Sequence, residues 1–355
     1  MTTASLPLAP TIERAVAPLD RLRRALLLAL VRVPGVGALV ARRDARLGVQ
    51  SVACVVCAFT LTVLAPGVLF VVGPAVFGVA HVAADARYLV LRRELPRSWV
   101  TTIGVGCVAL FALRVLEGLF PGRWPFAATE TAIGWTWALG GAVAAYVTTR
   151  TARAARRARL AAPVLASLGA AAITHPQLAR LVFAHVHNVV AIALWVFLFR
   201  ARRRFALPAL ALLALFTFVL ASGLATPFVD FAGANASRLV DESLFAWPAF
   251  MPQRLALGLG LAFVLLQAVH YAVWLAFIPQ DDLRAEGTLS FRMSLRAVAR
   301  DVPAGLLALT VFAALAVFGA SFVDLHRTRQ LYMSLAAFHG YLELGAATFL
   351  VVRGA

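Results

Sequence analysis

Repeated runs of about 20 apolar residues limit this chain to one broad class of fold. A bilayer core of about 30 Å takes about 20 helical residues, because each residue adds about 1.5 Å. Ten such runs occupy residues 47–65, 67–91, 98–120, 126–149, 160–174, 177–199, 205–224, 254–278, 303–323 and 330–352. The fifth run is the shortest and is rich in alanine. The sequence therefore predicts an all-α, polytopic integral membrane bundle of nine to ten transmembrane helices.

Composition excludes a soluble globular domain. The 355 residues are 62% hydrophobic and 14% charged, against about 45–50% and 25% in soluble domains. A formal net charge of +17 is typical of nucleic-acid binding proteins, but such proteins do not need so many apolar runs. We therefore expect membrane lipid, and not nucleic acid, as a partner of the charged surface.

The basic residues indicate the orientation of the predicted spans. All 33 are arginine, and arginine accumulates in cytoplasmic loops of membrane proteins. One side of the predicted topology holds the clusters within residues 21–46, 92–97, 150–159, 200–204 and 284–300, together with Arg353. The other side holds Arg114, Arg123, Arg180, Arg238, Arg254, Arg327 and Arg329. Both termini are predicted to be cytoplasmic, in the inner membrane of a bacterium.

Two segments outside the spans have their own predicted roles. Residues 1–45 read as a cytoplasmic N-terminal segment with an interfacial amphipathic helix at 22–43, which Arg32, Pro34 and Gly35 interrupt. Residues 46–355 form a single transmembrane domain. Its longest outer connection, 225–253, combines acidic and aromatic residues. We interpret it as a cap, either an ordinary aromatic belt or a lid where an apolar substrate enters.

Histidines inside the apolar runs are the main functional signal. Ionisable groups at bilayer depth are costly and usually face the interior of a bundle. Five of the seven histidines lie within spans: His81, His185, His187, His270 and His339. For any single one, a hydrogen bond to a neighbouring helix is the simplest explanation. Five together favour a metal or cofactor site.

Carboxylates accompany two of these histidines. Asp85 follows His81 by four residues and Glu343 follows His339 by four, a spacing that places both side chains on one helix face. Imidazole nitrogen with carboxylate oxygen suits a divalent transition metal, and a bundle can build such a site from facing helices. The predicted metal ligands are His81, His185, His270 and His339, with Asp85, His187, Asn188, Gln267 and Glu343 as further ligands or supporting groups.

Depth along the helices constrains this site. Counted from the cytoplasmic ends, His270 and His81 lie about 12–16 Å deep, and His187, His185 and His339 about 19–23 Å deep. A single metal ion would then need tilted helices or a kink at Pro74, and two metal ions are the alternative. Because His185 and His187 are two residues apart, they cannot both point towards the same ion.

A short motif resembles a known family. The run Gly78-Val79-Ala80-His81-Val82-Ala83-Ala84-Asp85 is similar to the G-x-P-H-G-A-x-D signature of the Brp/Blh family, with alanine for the proline and valine for the second glycine. That family consists of integral membrane proteins that cleave β-carotene to retinal with iron and oxygen. The resemblance implies that His81 is an iron ligand and Asp85 its adjacent acidic residue.

Three functions from different classes are consistent with these residues. The leading hypothesis is a membrane-embedded non-haem iron oxygenase or oxidase that binds Fe²⁺, O₂ and a hydrophobic substrate such as a carotenoid or an acyl lipid. The first alternative is a b-type haem electron-transfer protein with two axial histidines. The second is a proton-coupled transporter that uses the carboxylates and histidines as a relay. A purely structural membrane subunit is the general alternative, and the oligomeric state is left open.

Overall fold

The computed structural model describes residues 9–93, 95–200, 203–231, 251–282 and 290–354. All regular secondary structure within these ranges is helical. The main helices are α1 (Ala9–Val31), α2 (Arg43–Leu64), α3 (Val68–Leu91), α4 (Arg97–Leu119), α5 (Phe126–Thr149), α6 (Ala152–Thr174), α7 (Pro176–Phe199), α8 (Leu207–Ala221), α9 (Gln253–Asp281), α10 (Phe291–Asp301), α11 (Ala304–Ser321), α12 (Leu325–Leu335) and α13 (Phe338–Arg353). The prediction of an all-α fold is confirmed over these ranges.

Seven helical stretches in the described residues are long and apolar enough to cross a membrane. They are α2, α3, α4, α7, α9, α11 and the consecutive pair α12 and α13. The other three predicted runs also coincide with helices, namely α5, α6 and α8. Of these, α8 has only 15 residues, and α6 begins in an arginine-rich turn. A multi-pass membrane protein is supported, while the count of ten stays a prediction.

The N-terminal segment differs from its predicted bounds. Helix α1 begins at Ala9 and ends at Val31, well before residue 43. A short separate helix, Val36–Ala41, follows. Between them Gly35 adopts a φ of 81°, a left-handed conformation that glycine reaches at little cost. The interruption noted in the sequence therefore splits the segment 22–43 into two helices.

Helix α1 lies against the surface helix α10. The Asp20 carboxylate accepts hydrogen bonds from the backbone N–H of Phe291 at 2.7 Å and of Arg292 at 3.3 Å. These are the first N–H groups of α10, which have no partner within their own helix. Arg296 of α10 also pairs with Glu13 of α1 at 2.6 Å. One carboxylate thus caps α10 and attaches the N-terminal helix to the bundle.

Small residues allow α5 and α13 to pack closely. A Cβ atom added at Gly141 would lie 2.5 Å from the Gly345 carbonyl oxygen, and one added at Gly134 would lie 2.0 Å from the Tyr341 ring. Helix pairs inside membranes depend on such close packing, because lipid supplies no hydrophobic drive between them. The contact fixes α13 beside α5.

Ion pairs fix one end of α7. Arg180 of α7 contacts Glu117 of α4 and Glu130 of α5, each at 2.7 Å. Arg114 of α4 also contacts Glu130 at 2.7 Å. Two arginines facing two glutamates compensate each other's charge, which is the condition for retaining charges away from water.

The other end of α7 is attached to α9. The Asp281 carboxylate accepts a hydrogen bond from Trp195 Nε1 at 2.7 Å and from Arg200 Nη1 at 2.7 Å. Arg200 also donates to the Asp44 carbonyl at 2.9 Å. Attachment at both ends sets the rotation of α7, and with it the direction in which each of its histidines points.

Three helices of the bundle contain π-helical turns, which are wider than α-helical ones. Segments Val68–Val72 and Ala86–Leu91 of α3, Trp195–Phe199 of α7 and Val273–Phe277 of α9 are π-helical. Such turns change the rotation of the residues that follow and are frequent at functional sites. Three of the four histidine-bearing helices described below contain one.

Candidate metal centre

Four histidines from four helices form a ring of imidazoles in the centre of the bundle. They are His81 of α3, His187 of α7, His270 of α9 and His339 of α13. Ring centroids lie 5.1 Å apart for His81 and His270, 5.2 Å for His270 and His187, 5.2 Å for His187 and His339, and 4.8 Å for His339 and His81. None of the four is more than 9% exposed. The four rings come from the four helices to which the sequence assigned histidines of the predicted site.

Backbone contacts fix the protonation of three of these rings. In His187, Nδ1 donates to the Phe183 carbonyl at 3.3 Å. His81 Nδ1 donates to the Phe77 carbonyl at 3.3 Å, and His339 Nδ1 donates to the Ala336 carbonyl. A carbonyl oxygen can only accept, so each Nδ1 carries the proton and each neutral ring has its lone pair on Nε2. The Nε2 atoms of His81 and His339 lie 3.2 Å apart. Two lone pairs that face each other at this distance repel, unless a proton or a metal ion lies between them.

This spacing suits two ligands of one ion. Metal–nitrogen bonds of about 2.0–2.1 Å with angles between octahedral and tetrahedral place two ligand nitrogens about 2.8–3.4 Å apart. His270 contributes a third nitrogen: its ligand atom and those of His81 and His339 all lie within 4.8 Å of one another. Both ring nitrogens of His270 are buried without a hydrogen bond. The donor set therefore fits a transition metal ion.

Two buried carboxylates lie beside the ring. Ligand atoms of Asp85, His339 and Glu343 are within 4.8 Å of one another, and Glu343 Oε1 is 3.6 Å from His270 Nε2. Both oxygens of Asp85 are buried without a hydrogen bond of normal geometry. Burial of two adjacent carboxylates is costly, so it favours a proton shared between them or a cation nearby. His339 belongs to both groups of three, which gives room for one ion or for two adjacent ones.

Trp274 holds one of these carboxylates in place. Its indole N–H donates to Glu343 Oε1 at 2.9 Å, and the side chain has no exposed surface. Trp274 follows His270 by four residues in the chain. Its indole orients the carboxylate next to the imidazole ring.

The two histidines of α7, His185 and His187, have the opposite arrangement to the one predicted. His185 was expected to be a ligand and His187 its alternate, but His187 joins the ring. His185 packs against Phe263 at 5.2 Å between centroids, and its Nδ1 contacts the Leu181 carbonyl at 3.0 Å. Residues two apart on a helix project about 200° apart, so only one could face the ring. The rotation of α7, which its end contacts set, selects His187.

The two amide side chains contact other groups. Asn188 Nδ2 donates to the Ala184 carbonyl of its own helix at 3.0 Å. Gln267 Nε2 donates to Met333 Sδ at 3.6 Å. Both residues are buried, but in the described contacts neither amide bonds to an imidazole of the ring. Their predicted role as supporting groups is therefore not visible in these hydrogen bonds.

Sequence reasoning did not select two aromatic neighbours of the ring. The Tyr271 ring lies 4.6 Å from the His81 ring, and Tyr332 packs on Gly78, where an added Cβ would lie 2.5 Å from the tyrosine ring. Both hydroxyl groups are buried without a hydrogen bond. The adjacency of Tyr271 to His270 in the chain was the one available signal.

Arg329 is buried, although the sequence analysis assigned it to the outer side of the membrane. Arg329 of α12 is 1% exposed, and its Nε donates to the Phe70 carbonyl at 2.6 Å. Its guanidinium lies 3.3 Å from the Phe70 ring centroid. Both Nη atoms are buried without a hydrogen bond. Arg329 is therefore part of the protein interior, where the aromatic ring partly replaces water around the charge.

Comparison with known proteins does not assign this arrangement to a family. No family model, no curated protein and no solved structure matches the chain. The class that the fold and the site define is an all-helical protein with seven candidate membrane spans in its described part and a buried cluster of four histidines and two carboxylates.

Proposed function

We propose that this protein is a membrane-embedded oxidoreductase whose four-histidine ring binds a divalent transition metal, iron in the leading hypothesis. The observation that carries the proposal is the 3.2 Å separation of the His81 and His339 Nε2 atoms, whose Nδ1 atoms are both occupied by backbone carbonyls. Imidazole and carboxylate without thiolate are typical ligands of iron in oxygen chemistry. The resemblance around His81 and Asp85 to the Brp/Blh family supports the same metal.

The protein's own groups would bind and position the reactants. Bound iron supplies the activation of O₂. His81, His270 and His339 hold the ion, with His187 completing the ring, while Asp85 and Glu343 balance its charge. Trp274 keeps Glu343 in place through its indole N–H, because orienting partners of metal ligands tune both affinity and reactivity. The apolar surroundings exclude water and suit a hydrophobic substrate, a carotenoid or an acyl lipid.

A metal analysis with matched variants tests this proposal. Purified wild-type protein should contain iron in a stoichiometric amount, and His339→Ala and His270→Ala should lose it. His185→Ala is the control, since this histidine lies two residues from His187 in the same helix and points away from the ring. Retention of metal by His339→Ala, or equal losses in His185→Ala and His187→Ala, would contradict the proposal.

Carotenoid cleavage is the finer form of the proposal. Cells that accumulate β-carotene should form retinal when they express the wild-type protein, and should form none with His81→Ala. Absence of retinal while iron is bound would remove the carotenoid substrate and leave the metal centre intact.

The haem alternative fits the ring less well. Two axial nitrogens of one haem lie about 4 Å apart, twice a metal–nitrogen bond length, and the macrocycle must lie between the rings. The His81 and His339 Nε2 atoms are 3.2 Å apart. An absorption spectrum of the purified protein discriminates, because a Soret band would identify haem.

A proton-coupled transporter is the second alternative, and the Asp85 carboxylate favours it. This carboxylate is buried next to a second carboxylate and a histidine, an arrangement that a proton relay also needs. Proton flux into liposomes with and without Asp85→Asn distinguishes this function from metal chemistry.

For topology we propose ten spans with both termini in the cytoplasm of a bacterium and the protein in its inner membrane. The support is the one-sided distribution of arginine and the coincidence of all ten apolar runs with helices. Of the proposed outer cap, 225–253, residues 232–250 lie outside the described part of the chain. Reporter fusions after Arg353 and within residues 232–250 should report opposite sides of the membrane.

A further inference from the structure

A cavity of about 600 Å³ lies next to the helices that carry the histidine ring. Segments of α3, α9, α10 and α11 line it. Its volume lies in the range of about 300–1,000 Å³ that is usual for small-molecule pockets. The space exists partly because α3 presents three alanines there, Ala80, Ala83 and Ala84.

The walls of this cavity are apolar along most of their length. Leu275 of α9 and Leu307 of α11 face the three alanines of α3. Helix α11 has no buried residue, so one wall of the cavity is a helix that is otherwise open to its surroundings. An apolar chain could therefore enter from the lipid, past α11, without crossing water.

One end of the cavity is charged, and its positive charge is in excess. Arg87, Arg92, Arg300 and Asp282 line it. Asp301 accepts from Arg87 at 2.7 Å and from Arg300 at 3.1 Å, and Arg92 pairs with Asp282. Three guanidinium groups therefore face two carboxylates, which leaves one positive charge. Arg300 is the most accessible of the three, with its side chain 71% exposed.

One lining residue, Trp274, connects the cavity wall to the histidine ring. Trp274 is the lining residue that has no exposed surface. The same indole donates to Glu343, which lies 3.6 Å from His270. One side chain therefore separates the cavity from the carboxylates of the candidate metal centre.

We propose that this cavity binds a single-chain amphiphile with an anionic head, a long-chain carboxylate. The carboxylate pairs with Arg300 and its neighbours at the charged end, and the alkyl chain lies along the alanines of α3 towards Trp274. As the substrate class of the enzyme, this inference rests on the proposed function, whereas binding itself does not need the metal. Charge complementarity selects a fatty carboxylate over the corresponding alcohol.

Equilibrium binding of palmitate to the full chain in nanodiscs tests the proposal, with hexadecanol as the uncharged ligand of the same length. Wild type should bind palmitate about tenfold more tightly than hexadecanol, which corresponds to one charge-assisted contact. Arg300→Ser should reduce palmitate affinity to that of hexadecanol. Ala83→Phe should abolish binding of both ligands by filling the cavity.

The control is Ala109→Phe, the same substitution at an exposed position of α4. Equal palmitate binding by Ala83→Phe and Ala109→Phe, equal affinities of wild type for palmitate and hexadecanol, or a phospholipid retained in place of palmitate would each overturn the proposal. Iron content is measured on the same samples. Palmitate binding without iron would refute the metal centre and leave the cavity assignment intact, and iron without palmitate binding would do the reverse.

Discussion

The Nε2 atoms of His81 and His339 face each other at 3.2 Å although 258 residues separate them in the chain. The Nδ1 of His81 donates to the Phe77 carbonyl of its own helix, and the Nδ1 of His339 donates to the Ala336 carbonyl just before α13. The helices therefore hold two lone pairs together before any ligand arrives. Such preorganisation reduces the entropy that is lost when a ligand binds.

Metal binding should stabilise the fold. An ion that binds only the native state at 100 times its dissociation constant contributes about 2.7 kcal/mol. We expect a chelator to lower the melting temperature of the wild-type protein in detergent, and re-addition of Fe²⁺ to restore it. His339→Ala should melt at the same temperature with and without chelator. An equal chelator effect on wild type and His339→Ala would contradict metal binding at this ring.

Glu343→Gln should weaken metal binding while keeping the acceptor for Trp274. The amide oxygen can still accept from the indole, but the negative charge beside His270 is lost. We expect metal affinity to fall about 10- to 100-fold, the usual effect of changing groups next to metal ligands. Competition with a chelator of known affinity measures this change.

Trp274→Phe should weaken metal binding in the same direction, because Glu343 Oε1 loses its donor. A matched control is Trp99→Phe, since Trp99 is 4% exposed and its Nε1 has no hydrogen-bond partner. Similar affinities for both tryptophan variants would show that the indole N–H does not support the site.

Arg329→Met should preserve or raise thermal stability. The guanidinium is buried with two Nη atoms that lack hydrogen bonds, and replacing a buried charge with an apolar residue of similar length is often neutral or stabilising. Melting curves of both proteins check this. A clear loss of stability in Arg329→Met would indicate that the Phe70 contacts, or a bound anion, outweigh the desolvation of the charge.

Asp301 should make stability depend on pH below neutrality. Burial acts to raise the pKa of its carboxyl, but hydrogen bonds from Arg87 and Arg300 and the charges of Arg87 and Arg92 outweigh it and lower the pKa. The carboxyl therefore stabilises the fold above its unfolded pKa of about 4, and this contribution is lost as pH falls through the lower folded pKa. Asp301→Asn should lower the melting temperature at pH 7 and approach wild type at acidic pH.

Asp282 provides the opposite case at the same surface. Burial raises the pKa of its carboxyl in spite of the neighbouring Arg92 and Arg93. Ionisation then costs stability as pH rises through the folded pKa. The difference between Asp282→Asn and wild type should become more favourable to the variant as pH rises from acid to neutral. The same pH trend in both variants would show that these ion pairs do not act as described.

Much of the fold could be predicted because a lipid bilayer permits few backbone structures. Nine of the ten apolar runs each coincide with one helix, and the tenth is divided between α12 and α13. A segment of that length and polarity has few alternatives inside a bilayer. The break between the first two helices was also predictable, because Arg32, Pro34 and Gly35 interrupt the apolar pattern there. The number of spans was harder to predict. Helices α5 and α6 have the length of a span without enough apolar character, and α8 has only 15 residues.

The candidate site could be predicted only in part. His81, His270 and His339 were selected because they are ionisable residues inside apolar runs, and they lie together. The choice between His185 and His187 depended on the rotation of α7, which distant contacts of Arg180 and Asp281 set. The hydrogen bond between Trp274 and Glu343 joins two helices, and the two residues are 69 positions apart in the chain. No local sequence pattern encodes it.

The sequence by itself determined that this chain forms helices long and apolar enough to cross a membrane, and that histidines and carboxylates are their polar exceptions. Hydrophobicity and the 3.6-residue period act locally, so residue order is enough to decide them. The tertiary structure decided which imidazoles meet, which carboxylates they face and where a cavity opens beside them. Those outcomes depend on helix rotation and on contacts between residues far apart in the chain, which only the packed bundle fixes.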